Sequence, residues 1–284
     1  MTIKNYVYLL RMQQWYKNLV VFLALFFSGN MFRTELLHSS VLAFFSLALA
    51  SSAGYIFNDI MDLHQDKVHP EKKFRPLAAG KISKSIAVLL ALVLFSLGTI
   101  IAILLSRDFF LILLGLFALS VAYTLFFKNI VLIDVLTIAT LFVLRAISGA
   151  VVIGVFISPW LILVPFFLSL FLTVGKRHAD LQLLKENAHL SRSVLNDYNH
   201  NLTNSLMSIT TTLIIMSYAL YSFLSGHQLL IYSLPLALYV IFRYYYLINT
   251  GSIISRQPEK VIKDRPMIIG ILLWTIITAL IIYL

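Results

Sequence analysis

The sequence predicts an all-α, polytopic membrane protein, and three observations carry that prediction. Apolar residues make up 60% of the 284 positions and charged residues only 12%, about half the charged share of a soluble domain. Several uncharged runs reach bilayer length. The basic residues also fall almost entirely into alternate loops.

About nine transmembrane helices follow from the apolar runs, in one domain covering residues 1–284. Ile86 to Leu105, Phe109 to Phe127 and Pro266 to Leu284 each match the roughly 18 to 20 residues that cross a hydrocarbon core. Two longer tracts each hold two spans: Ala146 to Gly175 breaks at Ile157-Ser158-Pro159, and Tyr198 to Phe242 breaks at Ser225-Gly226-His227. Further spans lie near Asn18 to Phe32, Leu36 to Phe57 and Asn129 to Ala146. The first run begins after seventeen residues and no small-x-small site follows it, which reads as a retained anchor. Cysteine is absent, excluding disulfides and thiolate metal sites.

With nine spans, 19 of the 22 Lys and Arg residues fall on one side. Arg33 and Arg107 lie on the other, and Arg145 lies in the membrane. The positive-inside rule then places the amino terminus in the cytoplasm and the carboxyl terminus outside, in the inner or plasma membrane. Topogenesis and attraction to anionic membrane lipids explain most of the +10 net charge. Nucleic-acid binding is not expected, because these bases sit in short loops without a recognition motif.

Acids gather on the same face. At the end of the second span stands Asn58-Asp59-x-x-Asp62-x-x-x-Asp66. At about 100° per residue, a continuing helix would set the three aspartates within an arc of about 60°, with Asn58 beside it. Like charges at this spacing repel, so the stripe is unfavourable unless a cation neutralises it. Hard oxygen donors suit magnesium, which completes its shell with water and substrate phosphates. On spacing alone, a solvated helix end is an equally good explanation. A basic loop follows, with Lys72, Lys73, Arg75, Gly80 and Lys81, and an Arg fork there could bind a phosphate. After the sixth span a second polar insert contains Lys176, Arg177, His178 and Asp180, on the same side as the first.

An unpaired Arg145 within the lipid would cost at least about 2.5 kcal/mol. Asp134 is eleven residues earlier, about 16 Å along a helix, too far for a direct pair. A phosphate or an acid on another helix is the better partner. Lys17 with Asn18, and Tyr123 with Lys128, sit at helix ends where snorkelling alone accounts for them. Scattered histidines give no zinc pattern, and no nucleotide-binding or nucleophile-elbow motif occurs.

The Asn-Asp-x-x-Asp-x-x-x-Asp motif after the second of nine spans resembles the UbiA superfamily of intramembrane prenyltransferases. Within it, the chain is most similar to the branch that transfers phosphoribosyl groups to polyprenyl phosphates. The similarity rests on Arg11 to Asn18, Phe57 to Asp59, Phe74 to Gly80, Val143 to Gly149, Gly175 to Leu181 and Arg243 to Arg265. The resemblance implies a UbiA-like bundle with a cytoplasm-facing cavity and Mg2+ on Asn58, Asp59, Asp62 and Asp66. Its implied substrates are phosphoribosyl pyrophosphate and a decaprenyl-type phosphate for arabinan precursor synthesis. Lys17, Arg75, Lys128, Arg145, Lys176, Arg177, Arg243 and Arg265 become phosphate-holding candidates, with Tyr123 and Asp180 beside them. Many aromatic prenyltransferases of the superfamily carry a second Asp-rich motif where this chain has Lys176, Arg177 and a lone Asp180. An aromatic prenyltransferase using a prenyl diphosphate and, from another class, a transporter remain alternatives, and homo-oligomerisation is left open.

Overall fold

In the computed structural model, residues 3–69, 71–184 and 193–284 are described, and they form helices without a strand. Pro70 of the basic loop, and Lys185 and Arg192 of the one-sided basic count, lie outside them. Among the described residues, eight helices are long and apolar enough to cross a membrane. The first apolar run differs from expectation: it is a 3-10 helix, Met12–Val21, continuing into α2, Phe22–Phe27. As two consecutive shorter helices it is not one of those eight, which together with it agree with the expectation of about nine. The chain divides into two compact units, one of residues 1–25, 30–128 and 144–156, the other of residues 26–29, 129–143 and 157–284.

The first unit contains α1 (Ile3–Leu9), the 3-10 helix, α3 (Thr34–Met61), α4 (Leu63–Val68), α5 (Lys84–Leu105), α6 (Arg107–Leu125) and the second half of α7 (Ile133–Val152). Ser83 and Ser106 cap α5 and α6 by accepting bonds from the amides of Ile86 and Phe109, satisfying donors that the helix leaves unpaired. Small residues let α3 and α5 approach closely. Ser46 Oγ donates to the Gly98 carbonyl at 2.7 Å, and a Cβ on Gly98 would lie 2.9 Å from the Ser46 carbonyl oxygen. Trp15 Nε1 donates to Ser52 Oγ, which donates to the Leu10 carbonyl, fastening the 3-10 helix to α3. Leu77 and Ile82 anchor the loop after α4 in a core with Leu9, Ala53, Ile56, Ala87 and Leu94.

The second unit holds the first half of α7, then α8 (Pro159–Leu184), α9 (His200–Leu224), α10 (Leu234–Asn249), α11 (Ile253–Arg256) and α12 (Arg265–Tyr283). The tract from Ala146 to Gly175 therefore supplies the end of α7 and most of α8, rather than two whole spans. Its break falls after α7 and before Pro159, as expected. The other long tract breaks at Gly226, whose φ of +82° favours glycine. Leucines on the outside of α5, among them Leu89, Leu92 and Leu104, are exposed, and a helix apolar on all sides belongs in lipid. The chain is an integral multi-pass membrane protein.

Asp264 starts α12. It accepts from the Met267 amide at 2.9 Å and from the Arg243 fork at 3.2 and 2.9 Å. These donors hold its carboxyl below the usual range, the Arg243 bond foremost. A depressed carboxyl stabilises the fold above its unfolded pKa, near 3.9, and that contribution vanishes as pH falls through the lower folded value. Asp264→Ala should lower the melting temperature in detergent at pH 7, with a loss of about 0.5–2 kcal/mol typical of a removed cap. The difference from wild type should shrink below pH 4.

Candidate active site

The polar end of the first unit is built where α3 stops. Asp62 caps α3 and α4 resumes at Leu63, with the ladder kept by Asp62 N–H to the Asn58 carbonyl (2.9 Å) and Asp66 N–H to the Asp62 carbonyl (2.8 Å). The break divides the expected single stripe. Asp59 and Asp66 are each 2% exposed, whereas Asp62 turns elsewhere. Separating the acids lets different cations neutralise them, which relieves their repulsion.

Arg75 bridges the buried pair: Nη1 lies 3.0 Å from Asp59 Oδ1 and 2.6 Å from Asp66 Oδ2. Arg11 also reaches Asp59, and Lys128 holds Asp62. Arg11 has a left-handed backbone, φ 49°, uncommon for a side-chain-bearing residue; its guanidinium lies over the Tyr55 ring at 5.1 Å. Asn58 donates to Asp62 Oδ2 at 3.2 Å and accepts from Thr124 Oγ1 at 3.3 Å. Behind Arg75, His69 Nδ1 accepts from the amides of Glu71 and Lys72 at 3.1 and 3.2 Å. The proton of a neutral His69 must then sit on Nε2. Among the described residues no three acids or histidines converge on a point.

A second polar group of this unit lies deeper along α3. Lys17 is half-buried on the 3-10 helix, and Arg145 Nε donates to Asn18 Oδ1 at 2.9 Å. The expectation that Asp134 is too distant for Arg145 holds, and an amide on another element, that of Asn18, bonds it. Tyr123, beside Thr124 on α6, is half-buried.

In the second unit, Asp134 joins Arg177 Nε (2.9 Å) and the Tyr198 hydroxyl (2.7 Å), and that hydroxyl accepts from the Leu132 amide (3.1 Å). Leu132 has φ +66°, so the bond secures a strained turn. Burial, then donation to Asp134, push the Tyr198 hydroxyl up, keeping it a proton donor at neutral pH. Arg177 is 1% exposed. Tyr198→Phe removes both bonds and should destabilise by about 1–3 kcal/mol, read as a lower melting temperature. Asp180 takes Arg256 Nε at 2.7 Å. Arg177 and Arg243, expected to hold phosphates, hold Asp134 and Asp264 in this structure. Lys176 is half-buried on α8, and Arg265 is exposed at the start of α12.

Sequence reasoning assigned no role to Arg11, Tyr55, Thr124, Tyr198 or Arg256. Arg11 is 48 positions from Asp59 and Arg256 is 76 from Asp180, so no local pattern joins these pairs.

The UbiA prenyltransferase family model matches residues 18–260. Decaprenyl-phosphate phosphoribosyltransferase of Mycobacterium tuberculosis is 29% identical over 274 residues, 93% of this chain and 90% of that protein. Its namesake in Corynebacterium glutamicum is 30% identical over 287 residues, 97% and 86% of the two chains. A UbiA homolog from Archaeoglobus fulgidus, solved bound to GPP and Mg2+, superposes with a TM-score of 0.76 and 22% identity, covering 99% of this chain and all of that one. A family match over most of the sequence, relatives aligned nearly end to end and a common helical fold lead to one conclusion: this chain is a transferase of the UbiA prenyltransferase family.

Proposed function

We propose that the chain, as a single transferase domain, moves the 5-phosphoribosyl group of phosphoribosyl pyrophosphate onto a polyprenyl phosphate of decaprenyl type and releases pyrophosphate. The observation carrying this reading is Arg75 Nη1 set between the carboxylates of Asp59 and Asp66. A cationic nitrogen there marks a place between two hard oxygen donors, and magnesium is commonly held by one or two carboxylates plus substrate phosphates. The two carboxylates therefore fit that ion, with Asp59 and Asp66 as ligands, while Asn58 and Asp62, which pair with each other and with Lys128, would have to turn to complete the group. Bound magnesium would neutralise charge gathering on the departing pyrophosphate.

The protein's own groups do the rest. Arg11, Arg75 and Lys128 are free to turn from carboxylate to pyrophosphate oxygens once the acids have another cation, so the site exchanges one set of ion pairs for another. Arg75 offers the geometry for two oxygens at once. As the bond from ribose C1 to pyrophosphate breaks, these bases hold the leaving group. A phosphate oxygen of the lipid forms the new bond to C1. No proton moves, because the attacking phosphate is already anionic, which agrees with the lack of a nucleophile paired to a base at this site. The one-sided basic loops support a cytoplasmic amino terminus and a site open to the cytoplasm, where phosphoribosyl pyrophosphate is soluble.

Purified protein incubated with labelled phosphoribosyl pyrophosphate, polyprenyl phosphate and Mg2+ should yield a labelled phosphoribosyl lipid, and a chelator should abolish it. No labelled lipid across several chain lengths, with prenyl transfer from a prenyl diphosphate to an aromatic acid instead, would overturn the proposal.

A further inference from the structure

In the first unit α6 follows the end of α3 in a fixed register. A Cβ on Gly54 would lie 3.3 Å from Ser120 Oγ, so the two helices approach closely there. One turn on, Thr124 Oγ1 lies 3.3 Å from Asn58 Oδ1. Another turn on, Lys128 holds Asp62. The last two pairs are both 66 positions apart, and Gly54 and Ser120 keep the same offset. The helices therefore run in one direction and end together: Asp62 caps α3, and Lys128 stands in the 3-10 turn Phe127–Asn129 just after α6.

Four polar groups form a chain along this seam. Lys128 bonds Asp62 Oδ1, Asn58 Nδ2 donates to Asp62 Oδ2 at 3.2 Å, and the Thr124 hydroxyl reaches Asn58 Oδ1. Both ends of the chain belong to α6 and the turn after it. The rest of the motif is held elsewhere, Asp59 by Arg11 and Arg75 and Asp66 by Arg75. Asn58 and Asp62 cannot join them around one ion until Thr124 and Lys128 let go.

The chain can open without leaving a buried group unsatisfied. Thr124 is 4% exposed, where a hydroxyl with no partner would be costly. Its single proton has two acceptors in reach, Asn58 Oδ1 and the Ser120 carbonyl at 3.0 Å. When Asn58 turns away, the proton goes to Ser120. The Lys128 side chain is 20% exposed, so an anion arriving from water can draw it from Asp62.

We infer that Thr124 is a positioning residue: with Lys128 it parks Asn58 and Asp62 away from Asp59 and Asp66 until pyrophosphate takes Lys128. The inference rests on the magnesium pyrophosphate reading above. Its consequence is positive coupling. A divalent cation alone meets Asp59 and Asp66, whereas with pyrophosphate it also gains Asn58 and Asp62, and each ligand strengthens the other to the same degree. When the products depart, Lys128 and Thr124 reclaim both side chains, which favours release.

Thr124→Val keeps shape and charge and removes the hydroxyl. The empty site then lacks a hydrogen bond that the occupied site does not use, so a divalent cation should bind more tightly, by the about 2- to 10-fold that one neutral hydrogen bond supplies. Titration of purified protein with Mn2+ in the absence of donor, followed by the electron paramagnetic resonance signal of the free ion, measures this. Thr124→Ala should shift affinity the same way, and Thr124→Ser should restore the wild-type value. The Mg2+ concentration for half-maximal transfer should fall in Thr124→Val. A residue that held Asn58 ready for the metal would give weaker Mn2+ binding in Thr124→Val, and that result would overturn the inference. Unchanged affinity in both Thr124→Val and Thr124→Ala would overturn it too. If wild type and variants bind no Mn2+ at millimolar concentration, the metal site fails and the inference with it. If the affinities shift as expected but wild type forms no phosphoribosyl lipid, the donor assignment fails and the role of Thr124 stands.

Discussion

Asp59→Asn is expected to reduce phosphoribosyl transfer on the order of 100- to 1,000-fold, the loss typical of removing a charge-stabilising group from a transition state. The substitution preserves size and a hydrogen-bond acceptor for Arg11 and Arg75, so the variant should still be recovered folded from membranes. What disappears is the negative charge. With Asp59 neutral, Asp66 alone faces Arg75, and the site holds a divalent cation less well. Because the damage falls on metal and pyrophosphate together, raising Mg2+ should recover part of the activity. Retention of more than a tenth of wild-type turnover, in an assay limited by chemistry, would remove Asp59 from the site.

Gly149→Ala should have the largest effect on folding. A Cβ on Gly149 would lie 1.9 Å from the carbonyl oxygen of Val21 and 2.8 Å from its carbonyl carbon. Both are backbone atoms, so rotating a side chain cannot relieve the clash. Either α7 or the 3-10 helix must move, and overpacking of this sort typically costs about 1–3 kcal/mol or more. The 3-10 helix carries Lys17 and Asn18, and α7 carries Arg145, so displacement would also disturb the bond between Asn18 and Arg145. A sharp fall in melting temperature is expected. Gly115→Ala provides the contrast, since a Cβ there meets nothing within 4 Å. It should be neutral or raise stability by up to about 1 kcal/mol, as alanine replaces glycine within a helix. Equal behaviour of the two variants would refute the close contact at Gly149.

The motif from Asn58 to Asp66 was legible because helical spacing and residue type are local properties. Its burial was not, since the cations that cover Asp59 and Asp62, Arg11 and Lys128, stand 48 and 66 positions away. Arg75, nine positions from Asp66, stood in a loop whose charge invited attention, while Arg11 entered only as part of a family-like string. The membrane spans were legible from hydropathy wherever a helix ran unbroken. The first run was legible as apolar but not in its helix type, because composition does not distinguish a 3-10 helix followed by a short α-helix from one continuous α-helix. Asp134 and Arg145 were rightly kept apart by helix geometry. Their actual partners, Arg177 with Tyr198 and Asn18, lie on other elements and depend on packing that hydropathy does not encode.

Asp59 and Asp66, bridged by Arg75 in this structure, are proposed to receive magnesium pyrophosphate. Equilibrium binding of phosphoribosyl pyrophosphate to the purified protein, with and without Mg2+, tests it most directly when wild type is compared with Asp66→Asn. Wild type should show saturable binding that requires Mg2+, and the variant should bind at least about 10-fold more weakly. Equal affinity with and without the metal, or an Asp66→Asn protein that binds as tightly as wild type, would contradict it.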